Sequence, residues 1–82
     1  MKERIRKVLD DHGRLPVSAG TLQDEANLYS AGMTSHASVN LMLALEDEFD
    51  VEFPDRMLKR SVFSSIGSIE KALAELQSEV AA

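Results

Sequence analysis

The stretch LYSAGMTSHASVNLMLALEDEF, residues 28–49, decides how the chain is read. Its second part is helical. Thr34 or Ser35 can cap it, and small Ser38 followed by Leu41, Met42, Leu45 and Phe49 repeats at helical intervals, giving one core-facing stripe to about Asp50. Val39 and Leu43 form a second apolar pair four residues apart, rotated off that stripe. A helix with a single buried face has no use for such a pair. Either the bundle wraps this helix more fully than usual, or the pair is exposed and meets a partner, which is the preferred expectation.

Outward from this helix the chain continues to read as helical. Upstream, Ile5, Val8, Leu9 and His12 line one face of a helix over Lys2–His12, with His12 at its end facing the helix dipole. Gly13 is a natural stop and Pro16 follows. From Gly13 to Thr34 no period survives. Leu15, Val17, Leu22, Leu28 and Tyr29 are spaced apolar pins in a long ordered loop, and loops of that length in so small a domain are usually functional or anchored by their own side chains. Downstream, Pro54 suits the first position of a short helix with Met57 and Leu58 inward. A serine-rich link, Ser61 to Ser65, supplies a cap, and Ile66, Ile69, Leu73, Leu76 and Val80 form the last amphipathic helix. No segment alternates like a strand. The expected class is all-α, with three main helices, one short helix and a long first loop, in a single domain over residues 1–82.

Composition narrows the function. The chain has 82 residues, a net charge of −5 and no cysteine, so the protein itself offers no disulfide, thiolate metal site or thiol nucleophile. No apolar run is long enough to span a bilayer, and the N-terminus has no signal-peptide core, so no membrane partner is expected and the cytoplasm is the expected setting. Residues 1–14 carry five basic and three acidic side chains, residues 15–54 carry seven acidic and no Lys or Arg, and residues 55–82 carry four of each. Forty residues without a lysine or arginine argue against nucleic acid as a partner and suit either a basic docking surface or a plain solvated acidic face.

Catalytic constellations are lacking. The segment Gly32-Met33-Thr34-Ser35-His36 has neither the second glycine nor the preceding strand of a nucleophile elbow. Successive helical residues point about 100° apart, so His36 is badly placed to take the Ser35 proton. His12 and His36 lie on different elements with no carboxylate at ligand spacing, so no metal is expected. Ser35 itself has two readings. It is a plain N-cap, a role Thr34 can also fill, or it is a hydroxyl that takes a covalently attached phosphate where a helix N-terminus favours an anion.

The segments Leu28–His36, Val39–Phe49 and Phe53-Pro54-Asp55 together resemble acyl carrier proteins. That family has a glycine two residues before an Asp-Ser-Leu triplet, an apolar helix ending in acidic residues and phenylalanine, and an Ile-Pro-type start to a short third helix. The resemblance runs over essentially the whole chain. It implies a four-helix bundle that is not itself an enzyme, and a 4'-phosphopantetheine arm, taken from coenzyme A by a phosphopantetheinyl transferase and attached to Ser35. The arm brings the thiol this chain lacks and carries an acyl group as a thioester.

The departures from the family are concentrated near that serine. Thr34 stands where the family has aspartate and His36 where it has leucine, while Ala37 and Asn40 occupy positions that are acidic in the family. The distal acidic cluster persists as Glu46, Asp47 and Glu48. The resemblance is nearest to stand-alone aminoacyl carrier proteins, loaded by truncated homologues of class II (seryl-type) aminoacyl-tRNA synthetases and emptied by a downstream acceptor enzyme. Expected partner contacts are Thr34, His36, Val39, Asn40, Leu43, Glu46 and Asp47. A fatty-acid or polyketide-type carrier and a plain helical interaction domain are the alternatives.

Overall fold

The fold is that of a computed structural model describing residues 1–13, 15 and 19–81, with backbone path alone at residues 19 and 79–81. Three helices order the chain: α1, Lys2–His12; α2, Ser35–Phe49; and α3, Ile66–Ala81. Single 3-10 turns lie at Ala19–Thr21 and Asp55–Met57, and the described residues contain no strand. α1 packs on both α2 and α3 through Ile5, Val8 and Leu9. The segments between helices complete the core with Leu28, Met33, Phe53, Met57 and Phe63, the last meeting Phe53 edge to face at 5.2 Å between ring centroids. Gly13 ends α1 in right-handed geometry, so its value is space: an added Cβ would lie 2.6 Å from Leu9 Cδ1 and 2.7 Å from Leu9 O. His12, at the end of α1, is exposed.

The expected short third helix is one 3-10 turn. Met57 N–H donates to Pro54 O at 2.8 Å and Leu58 N–H to Asp55 O at 3.1 Å, after which Leu58 leaves helical geometry. Three residues per turn put one of two neighbouring apolar residues inside, so Met57 is buried while Leu58, expected inward, is 47% exposed. On α2 the buried face is Ala37, Leu41, Leu45 and Phe49, whereas Ser38 and Met42 are half-buried. Leu41, Leu45 and Phe49 are thus buried as expected, while Ala37 takes the place expected of Ser38 and Met42 lies at the edge of the buried face. Ser65 caps α3, its Oγ accepting from Ser68 N at 3.1 Å. The expected pin Val17 and the side chain of Val80 lie outside the described residues.

The long first loop is anchored at several points. Arg6 donates to Leu22 O at 2.7 Å and to Asp24 Oδ1 at 2.6 Å, and Lys2 Nζ lies 3.0 Å from Asp24 Oδ2 and 3.7 Å from Glu70 Oε1. Gly67 N–H donates to Asp24 O at 2.9 Å and Leu28 N–H to Ser64 O at 2.7 Å, tying the loop to the start of α3 and the turn before it. The basic excess of α1 thus holds the acidic loop in place.

That arrangement has a pH signature. The hydrogen bond from Lys2, helped by Arg6 and opposed by some desolvation, holds the Asp24 carboxyl below its ordinary range, and the Asp24 bond raises the Lys2 ammonium. A lowered carboxylate contributes stability above its unfolded pKa and loses it as pH falls through the folded value. Asp24→Asn should therefore be less stable than the parent near neutrality, by an amount that shrinks with added salt and closes below about pH 4. Thermal melts at several pH values check this; a gap that stays constant into acid would refute the ion-pair explanation.

Candidate functional site

Tight turns precede α2. Asn27 Oδ1 accepts from Ser30 N at 3.0 Å, Ala31 N–H donates to Asn27 O at 3.0 Å, and Gly32 N–H donates to Tyr29 O at 3.2 Å. Gly32 has φ 122°, a region L side chains rarely adopt, and from it the chain turns so that Met33 is buried and donates to Leu28 O at 3.0 Å. Thr34 is extended, and its Oγ1 accepts from Ala37 N at 3.0 Å: it is the N-cap. Gly32→Ala should cost about 1–2 kcal/mol and shift the amide resonances of residues 33–35, because the strain falls directly on the turn that sets the α2 start. An alanine variant with unchanged melting and spectra would overturn that role for Gly32.

Ser35 is the first residue of α2. It is exposed, and among the described residues its Oγ makes no hydrogen bond, while its carbonyl accepts from Ser38 Oγ at 2.7 Å. With capping assigned to Thr34, the plain-cap reading of Ser35 falls away. His36 is exposed beside it.

From Ser35 a groove of about 360 Å³ opens, with Val39, Met42, Leu58 and Phe63 as its apolar wall and Tyr29, Lys59 and Arg60 at its side. A second groove of about 570 Å³ lies between α1 and α2, and Asn40, Leu43 and Asp47 line it together with Arg4 and Lys7. The expected site residues are thus divided. Ser35 and Val39 face one groove and Asn40, Leu43 and Asp47 the other, with Val39 and Leu43, 52% and 53% exposed, on the part of α2 between them.

The acidic cluster is less free than its sequence suggests. Glu46 Oε2 accepts from Phe53 N at 2.8 Å, fixing the return of the chain after α2, where Asp50 is left-handed at φ 53°. Glu48 pairs with Arg4, whose guanidinium also lies 4.4 Å from the Phe49 ring centroid. Asp47 is exposed. Ala37, read from sequence as a surface position that had lost its acid, is 2% exposed and belongs to the core. A carboxylate there would be buried rather than offered to a partner. Sequence reasoning also missed the Tyr29, Leu58, Lys59 and Arg60 side of the Ser35 groove. No local sequence signal connects these residues to Ser35; the single 3-10 turn after Pro54, seen only in the structure, is what leaves Leu58 outside.

Residues 3–73 match a family model described as a phosphopantetheine attachment site. The chain is 51% identical over 70 residues to the aminoacyl carrier protein of Agrobacterium fabrum, covering 85% of this chain and 84% of that one. Among solved structures it is similar, at 49% identity and a TM-score of 0.88, to a chain in the crystal structure of an engineered Bradyrhizobium japonicum glycine:carrier protein ligase complexed with carrier protein from Agrobacterium tumefaciens and AMP, covering 90% of this chain and 99% of that chain. It is also similar, at 30% identity and a TM-score of 0.74, to a chain in the structure of the Bradyrhizobium ligase complexed with glycylated carrier protein, covering 87% and 95%.

Proposed function

Because the chain belongs to the phosphopantetheine attachment-site family, we propose that Ser35 is the residue that receives its 4'-phosphopantetheine arm and that the cargo is a small amino acid, glycine first. The observation that carries the reading is the exposed, unbonded Ser35 hydroxyl at the head of a helix capped by its neighbour, on a chain half identical to an aminoacyl carrier protein. The surroundings fit the group: the groove at Ser35 is lined by no carboxylate, so an incoming phosphate meets no like charge there.

The protein is a carrier and not a catalyst. The arm supplies the thiol on which cargo is held as a thioester, the one chemical function this cysteine-free chain lacks. The chain's own residues provide the attachment point and its presentation. Ser35 Oγ would form the bond to the pantetheine-side phosphorus of coenzyme A as the pyrophosphate P–O bond breaks, its proton passing to solvent and adenosine 3',5'-bisphosphate leaving. Thr34 fixes the helix start, and Gly32 with Met33 turns the loop so that the hydroxyl faces solvent.

Loading is assigned to a dedicated ligase, a truncated homologue of the class II (seryl-type) synthetases. It is followed by a downstream acceptor enzyme and preceded by a phosphopantetheinyl transferase. Val39 and Leu43 are the apolar contacts for these partners, with Thr34, His36 and Asn40 around them and Asp47 at the periphery. Glu46 contributes charge from a fixed position, since its carboxylate is engaged by the Phe53 amide.

Two steps test the proposal. Incubation with coenzyme A and a phosphopantetheinyl transferase should raise the intact mass by one arm. Addition of a glycine:carrier protein ligase, ATP and glycine should then add one glycyl group, removable by hydroxylamine as a thioester is. Failure of the first step overturns the Ser35 assignment. Efficient acylation by fatty-acid-synthase enzymes, with none by the ligase, overturns the aminoacyl assignment.

A further inference from the structure

The groove beginning at Ser35 is flanked by Lys59 and Arg60, and neither forms an ion pair among the described residues. Lys2, Arg4, Arg6 and Arg56 are each paired with a carboxylate, while Lys7 and Lys71, also without an ion pair among the described residues, lie at other grooves. Between residues 28 and 45 the chain carries no carboxylate at all. Two cations with no ion pair among the described residues thus border the longest stretch of this acidic protein that lacks a carboxylate.

Arg60 is also held in place. Its guanidinium lies 3.9 Å from the centroid of the Tyr29 ring, a stack that leaves the edge N–H groups free to donate. Its backbone belongs to a turn closed by Val62 N–H to Lys59 O at 3.1 Å and Phe63 N–H to Arg60 O at 3.2 Å, with Phe63 buried. The loop bearing Tyr29 is joined to the same turn by the Leu28–Ser64 bond.

Resting on the attachment of the arm at Ser35, we infer that Lys59 and Arg60 are positioning residues for the arm itself: they hold its phosphodiester and lay the arm along the apolar wall of Val39, Met42, Leu58 and Phe63. A phosphodiester keeps one negative charge at all ordinary pH, and its two free oxygens can accept from the edge N–H groups of a stacked guanidinium. The two methyl groups beside it on the pantetheine match the apolar wall. The charged arm therefore has a resting place on the carrier's surface, from which a partner enzyme lifts it.

The test compares apo and holo protein by NMR, with intact mass confirming the arm. In the parent protein, arm attachment should shift the amide of Arg60, its side-chain Nε–H and the Tyr29 ring protons, as well as the neighbours of Ser35. In Lys59→Gln/Arg60→Gln, the Tyr29 shift should vanish and the phosphorus line of the arm should narrow by about twofold as its local motion increases. Arg60→Lys should restore part of the linewidth, and added salt should narrow the parent's line. The parent comparison needs no variant, so a misfolded substitution does not decide the matter. A charged parent with unshifted Arg60 and Tyr29 overturns this inference alone. A parent whose mass does not change overturns the attachment reading and this inference with it.

Discussion

Replacing Ser35 by alanine should abolish arm attachment completely while leaving the fold intact. A hydroxyl is the only group at this position that can form the phosphodiester, so no residual charging is expected. The structural cost is small. Ser35 is exposed, its Oγ makes no hydrogen bond among the described residues, and it is Thr34 Oγ1 that accepts the cap bond from Ala37 N–H. Stability should change by less than about 0.5 kcal/mol, as at ordinary surface positions. Thr34→Ala is the informative contrast: it should lower stability by about 1 kcal/mol through loss of the cap while still accepting the arm. Intact mass and helical circular dichroism on the two variants separate the roles of these neighbours. Arm attachment to the Ser35→Ala protein, at Ser30 or Ser38, would refute the site.

The second large effect lies two residues apart on α2. Leu45 is fully buried and Leu43 is 53% exposed, so the same kind of substitution should do opposite things. Leu45→Ala should destabilise by about 2–5 kcal/mol through lost burial and the cavity left behind, a large share of what a small domain has. Leu43→Asp should lower the melting temperature far less, yet reduce the rate of loading by the ligase strongly, because it places a charge where a partner's apolar surface would sit. Val39→Asp should behave like Leu43→Asp. Denaturant titration and a loading time course on the same samples are sufficient. If Leu43→Asp unfolds the protein as thoroughly as Leu45→Asp, the exposed pair is a structural element and the docking assignment fails.

The helices were readable from the sequence because their signals are local. The periodic Ile5, Val8 and Leu9, the Thr34 cap and the Ile66 to Leu76 stripe each act within a few residues, and α1 runs over Lys2–His12 as expected. Ser35 stood out by its place between a glycine-bearing loop and a helix with surplus apolar residues. What escaped was set by contacts between distant segments. Ala37 looks like a surface position in a list of charges, yet it faces inward on the same side of α2 as Leu41 and Leu45. Leu58 looks like core beside Met57, yet a single 3-10 turn cannot bury both. Glu46 and Glu48 look like a free acidic tip, yet one holds a backbone amide and the other an arginine on α1. The cationic side of the Ser35 groove comes from residues 59 and 60, about twenty-five positions further on, which no local pattern connects to the serine.

The two backbone bonds that fasten the first loop, Leu28 to Ser64 and Gly67 to Asp24, have a consequence for the life of the chain on the ribosome. Each joins segments separated by about forty residues, and closing such spans is late work in folding. While the polypeptide is still being made, α1 and α2 can form, but the partners that pin the loop before Ser35 have not yet emerged. The serine is then present without its finished surroundings. A transferase that reads the folded loop and helix start will ignore nascent chains and modify only released ones. Translation-arrested chains ending before residue 64 should accordingly stay unmodified under conditions that convert the full-length protein.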